Sequence, residues 1–367
     1  MWIKELTLSH FRTYPKQTLK LHKGLHFMVG NNGVGKTNFL EAIYVLGLAK
    51  SYKSDDDDLI HYEDEFAKIT ATIVVGQRER VQSIIISEIG KKAIVNQTEI
   101  KRLSDYIGLL NIVAFTPDSM NLIKGSPLGR RYFLDVFLGQ SDRAYFLALS
   151  AFKQVLKQRN ELLKQYGVSH KIDETLLDVL DQQFAQYAQI IIHKRQAFID
   201  NVKEKATTVF QQLTNSDSLL TLKYLPSIGN DIIAVLQSKR KSDLHQAMTL
   251  MGPHRDDFEF YLNEKNAKDF ASQGEQRLAI LSITLGLVDY LSEITGEIPI
   301  LLLDDVFSEL DSQKQNYLIR RLIESGAQTI ITTTTLSDIM SANLVRAKRY
   351  TVAKGTIKEE QPSGQHD

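Results

Sequence analysis

Apolar and polar positions along this 367-residue chain alternate, then recur at helical spacing, then alternate again. Up to about Ile112 the period is mostly two. Leu25 to Val29, Lys68 to Val75, Val81 to Ser87 and Lys91 to Ile100 read as strands around one helix that starts at Asn38. From Leu128 to about Asn215 the spacing is helical, with core-type stripes at Tyr145, Leu149, Phe152, Leu156 and Leu163, and at Leu180, Phe184, Tyr187, Ile191 and Phe198. Gly167, Val168 and Ser169 break this run into two segments able to lie antiparallel. Ser216 to Lys241 is less regular, and Asp257 to Leu262 reads as a strand again. The last third alternates helix (Gln273 to Leu291), strand (Ile298 to Leu303), helix (Ser312 to Glu324) and strand (Gln328 to Thr332), which is an α/β pattern. The expected organisation is a head made of residues 1–112 and 246–360, interrupted by a mainly helical arm at 113–245 and followed by a disordered tail at 361–367.

Composition sets limits on this picture. A hydrophobic share of 43% against 24% charged residues fits a globular chain with a sizeable core, in one large domain or two ordinary ones. Lys plus Arg and Asp plus Glu both number 44, so any nucleic-acid contact must come from a local basic patch rather than a whole-molecule field. Cysteine is absent, which excludes disulfides and thiolate zinc sites and fits a reducing cytosol. The opening residues look like a strand with no signal-peptide core, and no run approaches the ~18 apolar residues of a membrane span. The run Asp55 to Asp58 reads as a solvated loop. The nine His include no H-E-x-x-H, and the pair His22/His26 lies on strand and turn, a poor basis for a metal site.

Two motifs carry chemistry on their own. Gly30-Asn31-Asn32-Gly33-Val34-Gly35-Lys36-Thr37 is a complete G-x-x-x-x-G-K-[ST] phosphate loop between a strand and a helix opening at Asn38. Such a loop wraps backbone N–H groups around polyphosphate, with Lys36 for the β/γ phosphates, the Thr37 hydroxyl for Mg²⁺ and the positive end of the following helix behind them. Leu301-Leu302-Leu303-Asp304-Asp305 is an apolar run ending in two carboxylates, as a Walker B strand requires at the carboxyl edge of a sheet. Asp304 would hold Mg²⁺ through water, and Asp305 would orient or deprotonate the attacking water. Arg12, just after the first strand, is either a further phosphate contact or an ordinary surface Arg.

Ser272-Gln273-Gly274-Glu275-Gln276-Arg277 fits two descriptions. Ser-x-x-Glu is a capping box, and the segment resembles the S-G-G-Q signature of ATP-binding-cassette proteins. That resemblance implies that Ser272, Gln273, Gly274, Gln276 and Arg277 meet the γ-phosphate held by a second subunit, and hence an ATP-sandwiched homodimer. Ser308 and Asp311, in Ser308-Glu309-Leu310-Asp311, resemble the D-loop of the same interface. Thr332 to Thr335 stand where cassette ATPases usually keep a switch His, so Thr333 and Thr334 would sense the γ-phosphate with hydroxyls alone. Asp305 stands where the usual residue is Glu. Both departures imply slow hydrolysis, suited to a switch. No glutamine marks a Q-loop, and Thr116-Pro117-Asp118 is the nearest candidate by position.

Phe11-Arg12, the phosphate loop, Phe115-Thr116-Pro117-Asp118, Lys124-Gly125-Ser126-Pro127 with Arg130-Arg131, Arg159-Asn160, Gly252-Pro253-His254-Arg255-Asp256-Asp257, Ser272-Gln273-Gly274 and Leu302-Leu303-Asp304-Asp305 occur in this order. The set closely resembles the bacterial RecF family over nearly the whole chain. The resemblance implies an SMC-like, ABC-type ATPase head, a mixed sheet with helices, interrupted by a short helical arm. It implies ATP and Mg²⁺ as cofactors, a weak ATPase used as a switch, and an ATP-dependent homodimer. It further implies binding to single-stranded, gapped and double-stranded DNA, cooperation with RecO and RecR in loading RecA, a part in replication and the SOS response, and a cytoplasmic, nucleoid-associated location without a membrane. The insertion of about 90 residues is too short for the sustained heptads of long coiled coils, so the arm must be a compact lobe.

For DNA contact the sequence offers Lys124 with Arg130 and Arg131, then Lys153, Lys157 and Arg159, then Lys194 and Arg195, then Lys239, Arg240 and Lys241. Each would act on phosphates without reading sequence, and each is equally a solvated helix face. Arg130 and Arg131 are favoured because they open a helix beside the Gly125-Ser126-Pro127 turn. Two other function classes share the motifs: the ATPase subunit of a membrane transporter, and a non-hydrolysing scaffold that uses ATP as glue.

Overall fold

The structure, a computed structural model, describes residues 1–169, 171–335 and 347–360, so the expected tail at 361–367 lies outside the described residues. In chain order the elements are strands β1 (Trp2–Phe11), β2 (Tyr14–Lys20) and β3 (Leu25–Val29), helix α1 (Lys36–Leu48), and strands β4 (Phe66–Val75), β5 (Arg78–Ser87), β6 (Gly90–Val95), β7 (Thr98–Ile100) and β8 (Ile112–Phe115). Next come helices α2 (Asn121–Lys124), α3 (Pro127–Ser141), α4 (Arg143–Ser169) and α5 (Glu174–Thr214), strand β9 (Leu220–Leu225), helix α6 (Ile232–Gln246), strands β10 (Asp257–Leu262) and β11 (Lys265–Asn266), and helix α7 (Ala267–Phe270). Helix α8 (Gln273–Thr295), strand β12 (Ile300–Asp304), helix α9 (Ser312–Ser325) and strands β13 (Thr329–Thr333), β14 (Lys348–Ala353) and β15 (Thr356–Glu359) complete the chain.

The elements fall into two units, one of residues 1–120, 208–217 and 273–367, the other of residues 121–207 and 218–272. The expected boundaries shift at both joins. Residues 113–120 belong with the first unit because β8 pairs in parallel with β12. Residues 246–272 belong with the second because β10 pairs antiparallel with β9, along six residues from Asp257↔Leu225 to Leu262↔Leu220.

The first unit holds two six-stranded sheets. One has the order β15-β14-β3-β13-β12-β8, parallel throughout except for the edge strand β15. Burial on both faces favours apolar runs such as Ile300 to Leu303, and all five residues of β12 and of β13 are buried, the latter with three threonines among them. The other sheet, β2-β1-β4-β5-β6-β7, is antiparallel, and its inner face is lined by Leu6, Leu8, Ile69, Ala71, Ile84 and Ile86. Helix α1 contacts β4 and β5 of one sheet and β8, β12 and β13 of the other. Contact on opposite faces explains why eleven of its residues are buried and why no single apolar stripe marks it. Helix α8 is long and apolar enough to cross a membrane by length and composition, contrary to the reading that no run approaches a span. Yet 72% of its most apolar stretch is buried inside the protein, as in a core helix.

The second unit is a compact helical lobe. Contacts Tyr145 to Arg195, Phe152 to Phe184 and Arg159 to Asp181 run in opposite directions along α4 and α5, so the two helices are antiparallel. Helix α4 ends at Ser169 and α5 opens at Glu174, so the two antiparallel segments divide beside the expected break, with Gly167 still inside the helix at a cost of only about 1 kcal/mol. The stretch 216–241 is more regular than its pattern indicates. Strand β9 buries Leu220, Leu222 and Tyr224, and α6 starts on an Asp231 cap that accepts from Ala234 N at 3.0 Å. Helix α6 buries only Ile232, Leu236 and Asp243, too few to print a period on the sequence.

His26 is fully buried in β3, with Nε2 donating to His22 O at 2.7 Å and Nδ1 3.2 Å from Tyr350 Oη. This places the His22/His26 pair in packing rather than at a metal. Burial pushes the imidazole pKa down to about 4. The unfolded chain therefore takes up a proton near pH 6.5 and the folded one only near 4. The stability this histidine contributes is whole above pH 6.5 and is lost as pH falls through that window, up to about 3 kcal/mol. Thermal melts between pH 7.5 and 4.5 should fall more steeply for the wild type than for His26→Gln, and parallel slopes would contradict this assignment.

Candidate nucleotide site

The carboxyl ends of β3 and β12 bring the two motifs together. Asn32, Gly33, Gly35, Lys36, Thr37 and Asn38 of the loop line a cavity of about 280 Å³ with Asp304, Asp305, Thr332, Lys53 and Pro117. Its size is near the lower end for small-ligand pockets (~300–1,000 Å³). Thr37 Oγ1 donates to Asp304 Oδ2 at 2.9 Å, and Thr332 Oγ1 donates to Asp304 Oδ1. Lys36 Nζ donates to Gly30 O at 2.5 Å and Asn31 O at 2.8 Å, spanning the loop from within. Burial lowers the Lys36 pKa, opposed by the nearby Asp305 and Asp304 carboxylates. Val34 is half-buried, and Asn38 Nδ2 donates to Thr13 Oγ1 at 3.2 Å.

Glycine is required here by space as well as by backbone angle. Gly35 has φ +110°, and a Cβ there would lie 2.7 Å from Thr13 Oγ1, while one on Gly30 would lie 2.4 Å from Val352 O. Tyr14 Oη donates to Gly35 O at 2.9 Å. Asp305 takes a left-handed conformation, φ +50°, and its main chain is held on both sides. Its N–H donates to Thr332 Oγ1 at 3.0 Å, and its carbonyl accepts from Arg277 Nη2 at 2.7 Å and Ser308 Oγ at 3.1 Å. A hydroxyl beside a carboxylate is a hard oxygen pair of the kind Mg²⁺ takes together with phosphate oxygens. Among the described residues no group of three or more His, Cys, Asp or Glu could hold a metal alone. The residues present fit a nucleotide with Mg²⁺.

Several expected residues sit elsewhere. Arg12 does not line the cavity. Its guanidinium donates to Glu41 Oε2 and Oε1 at 3.0 and 2.9 Å and to Ser54 Oγ, because Glu41 is a fully buried carboxylate on α1 that needs a cation. Thr333 is buried and its hydroxyl donates to Thr335 O at 2.8 Å, and Thr334 is exposed, so of these three threonines it is Thr332 that lines the cavity. Ser272, Gln273 and Gly274 are exposed at the start of α8, but Gln276 is buried. Arg277 is engaged within its own chain, by Asp305 O, Ser308 Oγ and Glu309 (2.7 Å), with its guanidinium 5.7 Å from the centre of the Phe115 ring. Asp311 caps α9, accepting from Lys314 N at 2.9 Å. Lys53, exposed on the loop after α1, had no motif to mark it, whereas Pro117 falls in the segment read as the nearest Q-loop candidate.

Most of the expected DNA-binding arginines are committed to carboxylates. Arg130 is buried and grips Asp257 through Nε (2.6 Å) and Nη2 (2.9 Å), Arg131 donates to Asp256 O at 2.8 Å, and Arg240 pairs with Asp178 and Asp181. Arg159 and Arg195 are buried against Asp181 and Asp243, and against Asp135 and Asp256. Lys124, Lys239 and Lys241 remain exposed.

A sheet with a phosphate loop at its carboxyl edge, beside a strand that ends in two carboxylates, is the nucleotide-binding frame of the phosphate-loop ATPase class. Residues 2–358 match the family of RecF/RecN/SMC N-terminal domains. The chain belongs to the RecF family. It is 39% identical over 97% of its length to the DNA replication and repair protein RecF of Staphylococcus haemolyticus, all of which is covered. It is 37% identical over 98% of its length to that of Latilactobacillus sakei, again with full coverage. A solved structure of the recombination mediator RecF with ATP, from the RecFOR pathway, superposes with a TM-score of 0.89 at 29% identity, covering 98% of both chains. The Smc head domain of Pyrococcus furiosus, at 20% identity over 98% of this chain and 96% of that one, shares the fold with a TM-score of 0.57.

Two substitutions test this geometry. Gly30→Ala should lower the melting temperature by an amount equivalent to about 1–3 kcal/mol, because the new methyl group meets main chain rather than a movable side chain. Arg130→Gln should cost about 3 kcal/mol through the stranded Asp257, seen as a lower urea midpoint. An unchanged midpoint with weaker DNA binding would return Arg130 to the DNA surface.

Proposed function

We propose that the protein is an ATP-switched DNA-binding factor of recombinational repair. It would dimerise on ATP, engage single-strand gaps and junctions of single- and double-stranded DNA, and help RecO and RecR load RecA on the cytoplasmic nucleoid during replication and the SOS response. The observation that carries the reading is the Thr37 to Asp304 hydrogen bond, which joins phosphate loop and Walker B strand in one cavity of a RecF-family chain. Lys36 would turn from Gly30 O and Asn31 O to the β/γ phosphates, and Thr37 and Asp304 would hold Mg²⁺, which supplies charge neutralisation on the phosphates. Asp305, fixed by Thr332, Arg277 and Ser308 through its main chain, would orient the attacking water. Its short side chain and the hydroxyls of Thr332 to Thr335 where an ionisable switch residue is usual fit slow turnover, supporting a switch rather than a motor. The exposed Ser272, Gln273 and Gly274, with open space around Gly274, fit contact with nucleotide on a second copy.

Fluorescence anisotropy on a gapped duplex at fixed salt, with Mg²⁺ and ATP, ADP or no nucleotide, tests the switch. Tight binding is expected with ATP alone, and binding indifferent to nucleotide would sink it. Lys36→Ala should lose nucleotide binding. Ser272→Arg should keep nucleotide binding as a monomer and lose the ATP-dependent dimer in sedimentation, so normal dimerisation of that variant would reject the role of the signature.

A further inference from the structure

The outer face of the antiparallel sheet carries a row of lysines that the sequence scatters over 77 positions. Ser9 on β1 lies opposite Lys16 on β2 and opposite Lys68 on β4. Lys68 in turn lies opposite Ile85 on β5, and Ile85 opposite Lys92 on β6. Directly opposed residues in antiparallel strands project to the same side, so Lys16, Ser9, Lys68, Ile85 and Lys92 form one line across five strands. At about 4.8 Å per strand the line is about 19 Å long. The neighbouring row is Thr18, Thr7, Thr70, Ser83 and Ile94, with hydroxyl pairs Thr7 to Thr18 at 3.1 Å and Thr70 to Ser83 at 2.9 Å. Lys16 and Lys92 are exposed and Lys68 half-buried, and none of their three ammonium groups has an ion-pair or hydrogen-bond partner among the described residues. Three carboxylates on this face stand off the lysine row: Glu5 lies opposite Lys20, Glu79 lies opposite Val74 and pairs with Lys4 at 2.6 Å, and Glu99 continues the hydroxyl row opposite Ile94.

We infer that this sheet face is a docking surface for the phosphate backbone of duplex DNA, with Lys16, Lys68 and Lys92 as the contacts. The inference rests on the DNA-binding reading above and adds a surface to it, since Arg130, Arg131 and Arg240 are committed to the arm's own polar groups and only Lys124, Lys239 and Lys241 of that expected set remain exposed. Unpaired lysines beside a strip of hydroxyls suit phosphate oxygens, which accept from both. A line of about 19 Å exceeds the ~6 Å minor groove and reaches phosphates on both of its sides. The face would bind without regard to sequence.

The test is anisotropy of the full-length protein with Mg²⁺-ATP on a gapped duplex between 50 and 300 mM salt, the wild type beside Lys16→Gln/Lys68→Gln/Lys92→Gln and the exposed single variant Lys92→Glu. The triple variant should bind at least tenfold more weakly, with its log–log salt slope shallower by about 2 to 3, near 0.9 for each phosphate that is no longer neutralised. Lys92→Glu should weaken binding in the same direction, and both variants should bind a fluorescent ATP analogue like the wild type. A wild type that does not bind DNA with ATP overturns the functional reading and this inference with it. A wild type that binds, beside variants with unchanged affinity and slope, overturns the inference alone and leaves the row to some other anionic partner.

Discussion

Everything chemical in this protein depends on one hydrogen bond, from Thr37 to Asp304, between residues 267 positions apart in the chain. Neither partner reaches the other by local structure. Thr37 is carried by a loop that must leave β3 at its carboxyl end, and Asp304 by a strand that must stop at the same edge of the same sheet. The fully buried β12 and β13 fix that edge, and α1, covered from both sheets, has little freedom to carry the loop elsewhere. The hydrogen bond therefore reports the correct assembly of the whole parallel sheet.

The site is framed by groups that themselves lack chemistry. Thr332 bridges the Asp304 carboxylate and the Asp305 N–H, Arg277 holds the Asp305 carbonyl, and Tyr14 holds Gly35. Arg277 thus ties the first turn of α8 to the carboxylate pair in the same subunit. A shift of α8 would be felt at Asp305 before any group met the nucleotide.

Much of this was legible in the sequence, for physical reasons that differ by element. The phosphate loop and the strand ending at Asp304 showed because their backbones need specific residues: glycines where a Cβ would collide, and apolar side chains on both faces of a buried strand. Strands β14 and β15 and helix α6 did not show, because short, half-exposed elements leave no period behind. The arginines misled most. On the sequence Arg130, Arg131 and Arg240 read as a basic surface, but the carboxylates that neutralise Arg130 and Arg240 lie from 59 to 127 positions away, and only the fold reveals the pairs. Arg12 is likewise held by a carboxylate, that of Glu41 on α1. The lysines at 16, 68 and 92 were invisible for the converse reason, since strand register makes a line of residues that no sequence window contains.

The inserted lobe has a consequence for how this chain is made. A ribosome adding roughly 5–20 residues per second needs about 15 to 50 s to travel from Thr37 to Asp304. During that interval the phosphate loop has emerged without the strands that fix it, while residues 121–207 and 218–272 already include every strand and helix of their own unit. Synthesis thus delivers a finished arm before a finished head. The nascent head must wait with four of the six strand positions of its parallel sheet unfilled, a period in which chaperones have most to do.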